Sequence, residues 1–118
     1  MMERIDWEVI KNYKALTTKS GENLYMSLLE RFKTNIFDEL KSLKEFQETE
    51  SYDELARLSH KLKSSTGNLG MLSASETLNE IEESITVHKK QDFSYFQGLV
   101  LRVETEVNLL LQEISEKV

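Results

Sequence analysis

"YMSLLERFKTNIFDELKSLKEF", residues 25–46, carries the longest apolar pattern in the chain. Tyr25, Leu28, Leu29, Phe32, Ile36, Leu40, Leu43 and Phe46 recur at steps of three and four, which places them on one stripe of a helix. Glu30, Lys33, Lys41 and Lys44 occupy the other side. A helix with one apolar stripe is stabilised mainly by burying that stripe against other elements. Phe37 and Met26 fall off it by about 100° or more, at roughly 100° of rotation per residue. They are expected either to pack on a neighbouring element or to offer a partner an apolar patch.

Outward from this helix the same periodicity returns. Upstream, "IDWEVIKNYKAL" places Ile5, Val9, Ile10 and Tyr13 at helical spacing, and "TTKSGEN", with Gly21, breaks the pattern. Downstream, Ser51 and Glu54 form an S-x-x-E capping box, which predicts the start of a third helix. Leu55, Leu58, Leu62 and Leu69 are its stripe, and Gly67 and Gly70 loosen or end it. Ser73 and Glu76 form a second box, ahead of Ala74, Leu78, Ile81 and Ile85. "HKKQD" closes that fourth helix, with His88 expected at the edge of its apolar stripe in a last turn that favours cations. Asp92 is placed to cap a last helix lined by Phe96, Leu99, Val103, Val107, Leu110 and Ile114. The expected fold is all-α: an antiparallel up-down four-helix bundle with a short additional N-terminal helix, forming one domain over residues 1–118.

Composition narrows the function. A net charge of −6 disfavours a nucleic-acid surface. The absence of cysteine removes disulfides and thiolate metal sites, and fits a reducing compartment. No apolar run approaches a membrane span, and the N-terminus lacks a signal peptide's apolar region, so the chain reads as cytoplasmic. The stripes suit a monomer. Neither histidine makes a Glu-x-x-His pair, since Arg57 precedes His60 and Ile85 precedes His88 by three; a di-metal carboxylate bundle is therefore disfavoured. No G-x-S-x-G nucleophile elbow is present either.

"SHKLKSSTGNLG", residues 59–70, is the unusual segment. His60 lies between Leu58 and Leu62, about 180° from the centre of the leucine stripe, so it points at solvent. Ser64 and Gly67 follow on the same face and clear space around the ring. Arg57, Lys61 and Lys63 place cations nearby in an otherwise acidic chain. An exposed imidazole with an open approach and local cations suits a phosphoryl group, with a ring nitrogen as nucleophile. Read without that function, "KSSTGNLG" is a loosening helix end, and the residues alone support both readings.

The stretch "HKLKSSTGNLG" resembles the signature of histidine-containing phosphotransfer domains. That signature has lysine three residues after the histidine, a small residue at four and glycine at ten. Lys63, Ser64 and Gly70 stand at those positions after His60, although Ser64 replaces the commoner glycine. The resemblance implies that His60 is the phosphorylated residue and that Lys63 stabilises the phosphoryl group. It implies that Ser64 keeps the approach open and that Gly70 shapes the turn to the next helix. Some members hold the histidine with a glutamine on the following helix; here that region is "LNEIEES", offering Glu82 or Asn79. A phosphocarrier without kinase activity of its own follows. It would receive phosphoryl from a receiver-domain aspartate or a hybrid sensor kinase and pass it on. It would bind no cofactor itself, the Mg2+ being the receiver's. Partner contact is expected on the His60 face, with Arg57 and Lys61, and on the adjacent exposed side of the second helix, including Phe37 or Met26. The alternative is a helical docking module that binds a receiver or another signalling protein without being phosphorylated.

Overall fold

The structure, a computed structural model, describes residues 4–118; the first three residues of the expected domain lie outside the described residues. It holds five helices and, among the described residues, no strand beyond an isolated bridge between Thr17 and Asn23. They are α1 (Trp7–Lys14), α2 (Leu24–Glu48), α3 (Tyr52–Asn68), α4 (Leu72–Thr86) and α5 (Phe93–Lys117). The all-α expectation holds, including the short first helix.

The periodic stripes become the core. Tyr25, Leu29, Ile36, Leu43, Leu55, Leu62, Leu78, Ile81, Phe96, Val103, Val107 and Leu110 are all buried. Each of α2 and α4 packs against both α3 and α5, while α1 packs on α2. Cross-helix bonds give the directions. Glu39 and Tyr25 of α2 meet Lys61 of α3 and Leu69 at its C-cap. Glu80 and Thr77 of α4 meet Tyr95 and Glu106 of α5. In each pair, position rises along one helix as it falls along the other, so neighbours are antiparallel.

Helix starts follow side-chain chemistry at three places. Asp6, Asn23 and Asp92 each accept a backbone N–H from three residues ahead and so satisfy one unpaired donor of the first turn. The two capping boxes do not form as expected. Ser51 is at the cap of α3, but its hydroxyl pairs with Thr49 Oγ1 at 2.8 Å. For α4 the cap is Met71, two residues before Ser73. The backbone explains that shift. Gly70 adopts φ +79, which ends α3, and the Arg4 carbonyl accepts from Ser73 N at 3.2 Å. The N-terminal segment therefore caps α4, and Asp6 N donates to Gly70 O at 2.7 Å in the same clasp.

The third helix also departs from its leucine stripe. Its buried arc is Leu55, Ala56, Ser59, Leu62 and Thr66, with Leu58 only partly buried. Small residues on that arc let α4 come close, and α3 and α4 make the most extensive contact in the molecule. His60 consequently borders α4 instead of standing opposite the core. His88 is corrected too: α4 ends at Thr86, and His88 is exposed beyond the cap Val87.

Candidate functional site

His60 and Lys63 are three apart on α3, and Asn79 and Glu82 are three apart on α4. Each pair therefore lies on one face of its helix, and antiparallel packing sets the pairs against each other. His60 Nδ1 lies 2.7 Å from Glu82 Oε2. Lys63 Nζ lies 2.7 Å from Glu82 Oε1 and donates to Asn79 Oδ1 at 3.2 Å. Ser75 Oγ donates to the Lys63 carbonyl at 3.1 Å and ties the two backbones together here. One carboxylate thus spans the imidazole and the ammonium. Glu82 and Asn79 were alternatives in the sequence; the structure uses both, Glu82 on His60 and Lys63 and Asn79 on Lys63 alone.

The electrostatics fix the histidine's tautomer. Burial by itself raises the Glu82 pKa, but hydrogen bonds from Lys63 and His60 outweigh it and hold the carboxyl below its usual value. An ionised carboxylate only accepts hydrogen bonds, so Nδ1 must carry the proton. Nε2 is then the ring nitrogen with the free lone pair. The side chains of Lys63 and Glu82 are 28% and 19% exposed, whereas that of His60 is 63% exposed. The imidazole is therefore the open part of a site whose supporting groups are largely covered.

The remaining candidates divide. Ser64 is exposed one turn after His60, as an open approach requires. Gly67 faces α4: a Cβ there would meet only Ser75 Oγ, at the ordinary distance of 3.5 Å, so its smallness is not what exposes the ring. Gly70 is constrained, because a Cβ would sit 2.7 Å from the Asp6 carbonyl oxygen. Lys61 is tied to Glu39 at 2.8 Å, while Arg57 is exposed beside His60. Phe37 is exposed but borders Leu40, Lys41, Glu104 and Asn108 in the α2–α5 groove. That groove lies across the bundle from the α3–α4 seam, so Phe37 is not on a side adjacent to the His60 face. Met26 is partly buried against the core and offers no free apolar patch. Off-stripe position on a helix reports departure from one neighbour, not the side a residue takes. A groove beside His60, where Tyr52, Ala56 and Ile85 join Arg57 and Lys89, has no local signal in the sequence because it forms between two helices.

Among the described residues no group of three or more His, Asp or Glu side chains is arranged to hold a metal, and no helix is long and apolar enough to cross a membrane.

The sequence matches the family model of the Hpt domain over residues 27–116. The chain belongs to the Hpt domain family. Neither a curated protein nor a solved structure matches it. Hpt domains are phosphocarrier modules of two-component signalling that interact with receiver domains and histidine kinases. In this Hpt domain the match takes in α3, α4 and nearly all of α5, so the His60 site lies within it.

Proposed function

We propose that this Hpt domain accepts a phosphoryl group on His60 from a receiver-domain aspartate and passes it to another. The observation that carries the reading is the Nδ1–Glu82 contact of 2.7 Å behind an exposed ring. It supports Nε2 as the nucleophile. Nε2 attacks phosphorus, the N–P bond forms, and the aspartyl O–P bond breaks to return the carboxylate to the receiver. The ring keeps its Nδ1 proton and becomes cationic, and Glu82 balances that charge. The same cation makes the ring a good leaving group in the next transfer. Glu82 is thus a positioning residue for both directions. Lys63 fixes the other carboxylate oxygen and, one turn from His60, offsets phosphoryl charge. The chain supplies nucleophile and docking surface, and the receiver supplies Mg2+ and its acidic pocket, so catalysis is mainly positioning and charge stabilisation. No autonomous kinase activity is needed. In this reading the domain acts in the cytoplasm as a monomer.

The test is transfer. Phosphorylated receiver domains from the same genome are mixed with the chain in Mg2+, and acid-labile phosphate is followed on wild type, His60→Gln and His88→Gln. Label is expected on wild type and His88→Gln and absent from His60→Gln. Binding without label on any of them would leave a docking module instead.

A further inference from the structure

We propose that the open groove beside His60 seats an acidic segment of the partner protein, with Arg57 and Lys89 pairing its carboxylates and one apolar side chain resting on Ala56 and Ile85. This deepens the carrier reading and rests on it. The groove encloses about 580 Å³ between the first half of α3 and the end of α4. Its floor is Ala56 and Ile85, and one wall is Tyr52, whose ring packs 5.5 Å from that of Phe96.

Charge identifies the occupant. The chain carries −6 overall, yet the available cations near His60 gather here. Arg57 and Lys89 are exposed and make no ion pair among the described residues. The other nearby cations are engaged: Lys61 by Glu39, Lys63 by Glu82, and Lys90 over the Tyr95 ring at 3.8 Å. Of the two acidic groups in the lining, Glu82 is already bonded to His60 and Lys63, which leaves Asp53 alone opposing the two cations. A small anion would use the cations and leave the apolar floor bare. A peptide segment with carboxylates flanking an apolar side chain uses both. Such a segment, bound within reach of Nε2, also orients the partner's phosphoryl-bearing group.

The experiment compares initial transfer rates from phosphorylated receiver domains of the same genome to wild type, Arg57→Glu, Lys89→Glu and the control Lys41→Glu. Lys41 borders the α2–α5 groove and gives the same change in net charge. Rates are taken at about 20 mM and about 300 mM salt, because screening separates steering from chemistry. At low salt Arg57→Glu and Lys89→Glu are expected to lose about tenfold or more and to lose most of the wild-type salt dependence, with Lys41→Glu close to wild type. Their thermal midpoints should not move, since both side chains are exposed. Label on wild type with unchanged rates in both groove variants, or an equal fall in Lys41→Glu, overturns this inference and leaves the carrier reading standing. No label on wild type from any receiver overturns the carrier reading, and the inference with it.

Discussion

Glu82 serves two partners, and that sharing defines the site at the residue scale. Its Oε2 holds His60 and its Oε1 holds Lys63. Glu82→Ala removes the group that fixes the tautomer, and transfer to His60 should fall by roughly 10- to 100-fold, as for loss of an orienting partner. Glu82→Gln keeps an acceptor for Nδ1–H and should fall less; single-turnover rates would separate the two. The carboxyl also ties stability to pH. Its folded pKa is depressed, so its contribution is fully present above the unfolded value and is lost as pH falls through the lower folded one. The difference in unfolding free energy between wild type and Glu82→Gln should therefore be largest near about pH 6 and shrink towards about pH 3, given an ordinary Glu pKa of about 4.3. Denaturant titrations along that range check it. His60 and Lys63 were legible because their spacing is local. Which α4 side chain meets which was not, because that depends on the register between two helices.

Two glycines of α3 and its turn separate at the scale of the element. Gly70 has φ +79 and a Cβ there would clash with Asp6 O at 2.7 Å, so Gly70→Ala should cost about 2 kcal/mol or more. Gly67 is inside the helix with room for a methyl group, so Gly67→Ala should be neutral or stabilising by up to about 1 kcal/mol. Chemical denaturation of both variants, with transfer measured on Gly67→Ala, tests the contrast; Gly67→Ala should keep transfer near wild type. The sequence places both glycines at a helix end, but only the fold shows that one of them receives the N-terminal segment. The same segment explains the misplaced start of α4. Capping boxes are local rules, and the Arg4 carbonyl is a distant donor's partner that no local rule can find.

Across the whole molecule, the apolar stripes specify a bundle because each helix must bury a single face. They do not say which neighbour lies on which side. Phe37 illustrates this: its sequence position suggested a side of α2 adjacent to the His60 face, and the packing turns it towards α5. Phe37→Ser should accordingly leave transfer rates within about twofold of wild type, since exposed residues away from a contact surface contribute little. A larger loss in a transfer assay would place a partner on the α2–α5 side as well. The proposed carrier function depends most on one atom, His60 Nε2, as phosphoryl acceptor. The direct measurement is a nitrogen–proton correlation spectrum of the histidine rings, taken on the chain after phosphorylation by a receiver domain. Phosphorus bonded to Nε2 of His60, with Nδ1 still protonated, is the predicted result; phosphorus on Nδ1, or on His88, would contradict it.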